Sequence, residues 1–353
     1  MSSRPPSLPA LLPTLLILLL GTASLHCAGC PSRPDDPLVP VDPSTVQMAN
    51  DRDFLVAARE AIDAATDRVH VIEYVIYDSG PVHDLLQAMV DAADRGVEVK
   101  VLADEESGDT EQALAFLADG GVDVSLDSPD TTTHNKLIVA DDVTLVGSHN
   151  FSTSALSYNH EASLRVESPA VTAYYEAYFQ ALWEDPQPEP VLDPPGTDPV
   201  VPLVDREIAG ALAACVANAT DRVRVVMYAI SYRDDYPDSE VNLLVEDLVA
   251  SHGRQVDVAV VLDRSDWIDD NGINDRAAEV LLAGGVPLHS APSSQTTHAK
   301  VLVCDDTVIV GDANWSYSAF DLYHGTSLQV TDAGLADGYV QWFDELWEGG
   351  NGW

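Results

Sequence analysis

The sequence predicts an α/β protein built from two copies of one domain, each a mixed β-sheet flanked by helices. The first observation is a His-x-Lys motif at 134–136 that returns at 298–300, an offset of 164 residues (298 − 134). The second is the regular alternation of short apolar runs with helical periodicity in each half. The third is a set of further matches, such as Gly-Gly-Val at 120–122 and at 284–286. Two copies at so long a period indicate a duplicated domain rather than a solenoid.

The elements of the first half follow from their patterns in order. Apolar runs rich in β-branched residues are typical of buried strands, and apolar positions three and four apart are typical of helices. The acidic pair at 141–142 predicts a turn between two short strands. The predicted elements are strand Val69–Ile76, helix Asp84–Ala93, strand Val97–Leu102, helix Glu111–Leu117, strands Leu137–Ala140, Val143–Val146 and Leu164–Val166, and helix Ala170–Trp183.

The matches also divide the chain into domains. The offset grows from 154 (220 − 66) to 164, so the second half carries about ten extra residues, which the matches place around 233–239 and 266–274. Proline-rich stretches without periodicity are typical of linkers. The predicted organisation is a signal segment at 1–30, a flexible tether at 31–45, a first domain at 46–185, a Pro-rich linker at 186–202 and a second domain at 203–353.

The composition limits the classes of partner. The chain has 353 residues, of which 46% are apolar, and its net charge is −41, with 17 basic residues against 58 acidic ones. Such an acidic surface repels nucleic acid and anionic membranes, and a nuclease needs basic contacts to phosphates. The repulsion makes nucleic acid an unlikely partner. The simplest explanation of the charge itself is adaptation to a salty or exposed environment.

The first thirty residues are typical of an export signal. Arg4 precedes an apolar run at 8–20 that two prolines interrupt, and this run is too short and broken for a membrane span. Ala28-Gly29-Cys30 resembles the end of a bacterial lipoprotein signal, in which the cysteine becomes lipidated. Cleavage with simple secretion and an uncleaved anchor are the alternatives. We expect an exported protein, either secreted or a cell-envelope lipoprotein whose lipid anchor brings it to a membrane surface.

Two cysteines remain after the signal segment. Cys215 lies in a helical pattern and Cys304 in the second motif strand, and an export compartment permits a disulfide between them. Apolar neighbours surround both, and this favours two buried free thiols. The spacing of cysteines and histidines matches no metal site.

The repeated motif carries the chemistry. Side chains on a strand alternate faces, so His134 and Lys136 point to the same place. Glycine then bends the chain, and Asn150 follows in the loop. The second copy repeats this set with His298, Lys300 and Asn314.

Two imidazoles, two ammonium groups and two amides suit an anionic, oxygen-rich substrate. Lysines act as point charges on phosphate oxygens. A neutral imidazole can attack phosphorus, and a protonated imidazole can donate to a leaving oxygen. The inventory therefore suits nucleophilic chemistry on an anionic group such as a phosphate.

The repeated pattern resembles the signature of the phospholipase D superfamily, which is His-x-Lys, four residues, Asp, and then Gly-Ser-x-x-Asn or a close variant. Asp141 and Asp305 fill the Asp position, and the resemblance covers both halves. It implies two halves about a pseudo-twofold axis, and thus a monomer with one shared, pseudodimeric active site. It also implies a phosphohistidine intermediate, formed by one motif histidine while the other protonates the leaving alcohol and then activates water or an acceptor alcohol. No cofactor or metal is expected.

The resemblance also implies that an acidic residue downstream orients a motif histidine. Glu161 lies 27 residues (161 − 134) after His134, and its counterpart in the second half is Gly325. We therefore predict that His134 is the nucleophile, oriented by Glu161, and that His298 is the acid and base.

The second half departs from the pattern at one further position. Asp312 stands where the first half has the usual Ser148. A carboxylate facing a phosphate is unfavourable, so Asp312 either turns away or takes over the orientation of a histidine. Asp141 and Asp305 are expected to hold a turn or an ion pair rather than to touch substrate.

The sequence leaves two classes of function open. The first is an exported phosphodiesterase that acts on phospholipid head groups, or on another phosphodiester, by hydrolysis or by transfer to an alcohol. A cardiolipin-synthase-like transferase and a nuclease are variants of this class. The second class is a binding or scaffold protein that has kept the fold and lost turnover, which Asp312 and Gly325 suggest.

Overall fold

The computed structural model describes residues 40–353 except 105–109, 188, 194 and 293–294. The predicted signal segment lies outside the described residues, as does most of the predicted tether. The described end of that tether is folded, because Asp42 caps a 3-10 turn at Pro43–Thr45 and Val41 is buried in the core. The prediction of a flexible tether is therefore wrong for 40–45.

The first half forms a mixed sheet of seven strands in the order β1-β7-β6-β5-β2-β3-β4. β2, β3 and β4 are parallel, and the other neighbours are antiparallel. The elements are β1 (Val46–Met48), α1 (Asp53–Ala64), β2 (Arg68–Glu73), α2 (Pro81–Asp94), β3 (Glu98–Ala103), α3 (Thr110–Asp119), β4 (Asp123–Leu126), β5 (Lys136–Ala140), β6 (Val143–Gly147), α4 (Thr153–Ser157), β7 (Ser163–Glu167) and α5 (Pro169–Glu184).

Each predicted element of the first half is present, with ends shifted by up to three residues. The hairpin β5–β6 is buried along most of its length, which explains its continuous apolar sequence. At α5, Ser168 accepts the N–H of Val171 and Pro169 occupies the first turn, so local sequence sets the start of the helix. The prediction missed β1, α1, β4 and α4.

The second half repeats this plan in a sheet of eight strands, ordered β15-β11-β10-β9-β12-β13-β14-β8. β8 begins at Val200, inside the predicted linker, and Pro202 is tolerated there because β8 is an edge strand. The elements are β8 (Val200–Val204), α6 (Glu207–Asn218), β9 (Arg222–Met227), α7 (Glu240–Gly253), β10 (Asp257–Leu262), α8 (Asp266–Asn271), α9 (Asp275–Ala283), β11 (Leu288–Ser290), β12 (Lys300–Cys304), β13 (Thr307–Gly311), α10 (Tyr317–Asp321), β14 (Thr326–Thr331), α11 (Ala333–Gly349) and β15 (Asn351–Gly352).

The two halves share one hydrophobic core. Residues from the inner faces of both sheets, such as Val139 on β5 and Val303 on β12, belong to a single cluster with the buried faces of α5 and α11. Hydrogen bonds also cross between the halves, since the Tyr175 hydroxyl donates to the Ser327 carbonyl at 2.5 Å. Each half has a second cluster on the outer face of its sheet. The predicted duplicated α/β architecture is thus confirmed, and its halves fold as one compact unit.

The structure corrects the prediction for the cysteines. Cys215 on α6 and Cys304 at the end of β12 form a disulfide, with their Cα atoms 5.8 Å apart. The expectation of two free thiols is wrong because α6 packs directly on β12, a contact that apolar sequence neighbours alone do not reveal.

Candidate active site

The two motif histidines lie where the halves meet. The main-chain N–H of His134 donates to the carbonyl of His324 at 2.9 Å, and the N–H of His298 donates to the carbonyl of His160 at 2.8 Å. Each motif strand is therefore fixed at its start by the opposite half. This reciprocal pairing brings the two His-x-Lys sets together at the interface.

The two motif lysines are buried beside their histidines. The Nζ atom of Lys136 donates to the His134 carbonyl at 2.5 Å, and that of Lys300 donates to the His298 carbonyl. Burial lowers the pKa of both ammonium groups, and the proximity of the two charges helps to lower the pKa of Lys300 to about 7. An anion bound between them would restore full protonation.

Glu161 contacts the histidine of the opposite half. Its Oε2 atom lies 2.9 Å from Nδ1 of His298 and accepts the hydroxyl of Ser148 at 2.5 Å. Burial works to raise the pKa of this carboxyl, but His298, His149 and Lys300 together outweigh burial and lower the pKa to about 2. The predicted pairing of Glu161 with His134 is wrong, because the side chain crosses the interface, and spacing within one half cannot show this.

His134 is the less basic of the two imidazoles. Burial lowers its pKa well below the usual range, and Lys136 and Lys300 lower it further. Burial also lowers the pKa of His298, but Glu161 opposes that change. Among the described residues, Nδ1 of His134 has no hydrogen-bond partner of good geometry. His134 is thus neutral at physiological pH, and His298 is the better proton carrier.

The two motif asparagines follow the strands β6 and β13. The Oδ1 atom of Asn150 and that of Asn314 are buried and accept no hydrogen bond from the part of the chain that the structure describes. Because a phosphate oxygen also accepts hydrogen bonds, contact with it would be made by the Nδ2 group of each amide rather than by Oδ1. Both amides are therefore candidates for substrate contact.

The carboxyl of Asp312 is buried beside the lysines. Its Oδ2 atom accepts the N–H of Thr326 at 2.7 Å and the hydroxyl of Thr326 at 3.0 Å. Burial raises the pKa of this carboxyl to about 7, although Lys136 opposes the rise. The group therefore gains and loses its proton near neutral pH.

Asp141 and Asp305 lie at the turns after the motif strands, where their carboxylates hydrogen-bond to the main chain of a neighbouring segment. The Asp141 carboxylate accepts three successive main-chain N–H groups, at 66–68, and the Asp305 carboxylate accepts the equivalent three, at 220–222. These bonds hold each motif hairpin to the strand beside it. Neither carboxylate is positioned to meet a substrate at the histidines.

The structure also reveals residues that the sequence analysis did not assign to the site. Asp104 accepts the N–H of Thr133 at 3.0 Å, and Asp263 accepts that of Thr297 at 2.6 Å, so each fixes the residue before a motif histidine. Both residues come directly after equivalent strands of the two halves, β3 and β10. This repeated position is the feature by which the sequence could have identified them. Glu73 is buried, and burial raises its pKa well above its usual range while Lys136 opposes the rise. The repeat gave no signal for Glu73.

Aromatic rings line the site on both sides. The ring of Tyr74 lies 4.8 Å from that of His134, and the ring of Tyr228 lies 4.6 Å from that of His298. Trp267 on α8 is exposed and stacks on Tyr228, with ring centroids 6.2 Å apart. Trp267 therefore stands at the solvent side of the His298 half of the site.

The family described as "Cardiolipin synthase, PLD-like domain" matches this chain twice, over residues 58–183 and 212–347. The chain belongs to the phospholipase D superfamily. Its two matches coincide with the two halves that meet at the paired motifs. No curated protein matches the chain in sequence.

Solved structures of other proteins have a similar fold. A phosphatidylserine synthase from Haemophilus influenzae Rd KW20 has a TM-score of 0.69 at 12% identity, covering 86% of this chain and 87% of that one. A polyphosphate kinase from Porphyromonas gingivalis has a TM-score of 0.62 at 13% identity, covering 85% of this chain. This phospholipase D-like chain spans about half the length, 46%, of the kinase. At these identities the likeness concerns the fold alone.

In the part of this phospholipase D-like chain that the structure describes, no helix is both long enough and apolar enough to cross a bilayer. The predicted signal segment lies outside that part.

Proposed function

We propose that this protein is an exported phosphodiesterase of the phospholipase D type that cleaves a phospholipid head group through a phosphohistidine intermediate. One observation carries the proposal. A neutral His134 and a carboxylate-paired His298, each with its own buried lysine, are brought together by main-chain bonds between the halves. One imidazole is thereby suited to attack and the other to proton transfer.

We assign the attack to His134 on electrostatic grounds. Its Nε2 lone pair forms the N–P bond while the bond from phosphorus to the leaving oxygen breaks. His298, whose imidazolium is stabilised by Glu161, gives its proton to that oxygen. In the second step His298 takes a proton from water or an alcohol, whose oxygen attacks phosphorus as the N–P bond breaks. The assignment keeps the predicted roles, but its basis is the low pKa of His134 rather than a contact with Glu161.

The lysines and asparagines supply fixed positive charge and hydrogen bonds where negative charge develops on phosphorus oxygens. Lys136 and Lys300 are both buried, so their charges act in a site of low dielectric. The free energy of the charged transition state falls relative to that of the bound substrate, because the groups are in place before the reaction.

Several features support a lipid substrate outside the cytoplasm. The Cys215–Cys304 disulfide is typical of exported proteins, in agreement with the predicted signal at 1–30. The phosphatidylserine synthase of similar fold is an enzyme named for a lipid. The net charge of −41 disfavours a nuclease. Lipidation near Cys30 would hold the protein at the membrane that carries its substrate.

The test uses the full chain with vesicles of phosphatidylcholine and phosphatidylglycerol and a primary alcohol. Phosphatidyl-alcohol is expected with the wild type and with His83→Asn, a matched change at a half-exposed surface histidine. It is expected to disappear in His134→Asn. Trapped phosphohistidine from a generic phosphodiester without lipid turnover would move the substrate to another class. Absence of both products would favour the binding or scaffold alternative.

A further inference from the structure

The second half of the site lacks a carboxylate where the first half has one. In the first half, Ser148 follows β6 and Glu161 precedes β7, and the two side chains bond to each other at 2.5 Å. The equivalent positions of the second half are Asp312 and Gly325. Each half therefore has one carboxylate in this pair of positions. In the first half it stands at the second position, before β7, and in the second half it stands at the first position, after β13.

The Asp312 carboxyl occupies the space that a side chain at 325 would need. A Cβ atom built on Gly325 would lie 2.7 Å from Oδ1 of Asp312, which is closer than real Cβ contacts allow. The position of the Asp312 carboxyl therefore disfavours a side chain at 325. An acid at 325 and an acid at 312 would compete for the same space.

The carboxyl is anchored in the way that its serine counterpart is. Oδ2 of Asp312 accepts the N–H of Thr326, as Oγ of Ser148 accepts that of Ala162. The Thr326 hydroxyl adds a second bond to the same oxygen. Among the described residues no hydrogen bond is made to Oδ1, so this oxygen is available to another donor.

A matching donor lies on the other side. Nδ1 of His134 is buried without a partner among the described residues, whereas Nδ1 of His298 has Glu161. The main chain of Asp312 works to raise the pKa of His134 against the effect of burial, so residue 312 contacts the ring through its main chain. By the relation between the halves, a side chain at 325 would face His134 as Glu161 faces His298, and the Asp312 carboxyl lies in that space.

We propose that Asp312 is the positioning residue of His134, and that it does from position 312 what Glu161 does for His298. This inference rests on the proposed function for its catalytic consequence. In this role the ionised carboxylate accepts the Nδ1 proton of His134, which has no acceptor among the described residues of this structure, and so fixes the tautomer whose Nε2 lone pair faces phosphorus. The second half is then rearranged rather than degenerate.

The charges around Asp312 set when it can act. Lys136 and Lys300 face it from the two motif strands, Thr326 faces it from β14, and Tyr175 and Tyr178 face it from α5. Burial raises the pKa of its carboxyl to about 7, so it is ionised above that pH and neutral below it. Positioning of His134 is expected to weaken as pH falls through this range.

The test compares Asp312→Ser with the double variant Asp312→Ser/Gly325→Glu, which copies the first-half arrangement. The single change is expected to slow phosphohistidine formation at least tenfold, since an orienting carboxylate is worth up to about 10⁴-fold in other histidine systems. The double variant is expected to recover most of the rate. Asp312→Asn keeps the volume and an acceptor for Thr326, so its rate separates charge from packing.

A second readout does not depend on turnover. Nitrogen NMR of the His134 ring is expected to show the Nδ1–H tautomer at pH 8 in the wild type and the double variant, and a mixture in Asp312→Ser. An unchanged tautomer together with an unchanged rate and pH profile would overturn the inference. An inactive wild type whose His134 tautomer still responds to Asp312→Ser would defeat the proposed function and keep the inference.

Discussion

Nδ1 of His298 lies 2.9 Å from Oε2 of Glu161, although the two residues belong to opposite halves of the chain. Glu161 is fully buried, so the interaction acts at low dielectric and opposes the lowering of the His298 pKa. Neither half therefore contains both members of this pair. The duplicated fold assembles the pair as well as the shared core.

The pH dependence of turnover is expected to be bell-shaped, with the alkaline limb set by loss of the His298 proton. Glu161→Gln removes the charge that supports the imidazolium, so the pKa of His298 falls and the alkaline limb moves to lower pH, by about one unit or more. The rate near neutral pH falls accordingly. Glu176→Gln, which alters a carboxylate bonded to the distant His70, is the control and should leave the profile unchanged. A flat profile between acid and neutral pH would contradict the two-histidine mechanism.

The division of roles between the histidines can be tested with leaving groups. In a nitrophenyl phosphodiester the leaving group, nitrophenolate, departs without needing a proton. The His298→Asn variant should therefore still release about one equivalent of nitrophenolate and stall as phosphohistidine. His134→Asn should release none, because no N–P bond can form. Rapid-mix absorbance and phosphohistidine detection measure both outcomes. A burst from His134→Asn that is absent in His298→Asn would exchange the two roles.

Turnover is expected to persist in excess chelator. Two ammonium groups and two amides supply the positive charge and donors that a divalent ion supplies in metal-dependent phosphodiesterases. The measurement compares initial rates before and after dialysis against EDTA. Activity that is lost on dialysis and returns with a single divalent ion would refute the metal-free mechanism.

Much of the site could be predicted because it repeats. The His-x-Lys sets, Asn150 and Asn314 stand at equal spacing in both halves, and the motif strands are apolar and buried throughout. β4 was missed because its residues are half-buried or exposed and lack a clear period. Glu73 was missed because the second half has Met227 in its place.

The contacts between side chains of the two halves could not be predicted from the sequence. The distance in the chain between Glu161 and His134 is short, but the side chain of Glu161 reaches His298 instead. Pairing between duplicated halves depends on their relative orientation, which no local pattern encodes. The Cys215–Cys304 disulfide lies within the second half, and its pairing depends on the packing of α6 on β12, which spans 89 residues of sequence.

The disulfide is expected to stabilise the second half without acting in catalysis. Replacing both cysteines, as Cys215→Ala/Cys304→Ala, should lower the free energy of unfolding by about 2–4 kcal/mol, because the unfolded chain regains the freedom of a long loop. Urea unfolding measures the change, and activity at low temperature should remain. Reductant should shift the wild-type midpoint and leave that of the double variant in place. Equal midpoints for the wild type and the double variant in the absence of reductant would show that the disulfide adds nothing to the free energy of unfolding.

Trp267 is expected to bind the part of the substrate next to the phosphate. Trp267 is 59% exposed, and its indole stacks on Tyr228, which meets His298 edge-on, so a lipid entering this side of the site would pass over it. Trp267→Ala should raise KM for lipid about three- to tenfold with kcat little changed, since an aromatic contact contributes about 0.5–1.5 kcal/mol. Tyr317→Ala, which removes an aromatic ring of similar exposure outside this stack, is the matched control and should leave KM unchanged. Equal effects of the two changes would indicate a general loss of surface adhesion rather than a contact at the site.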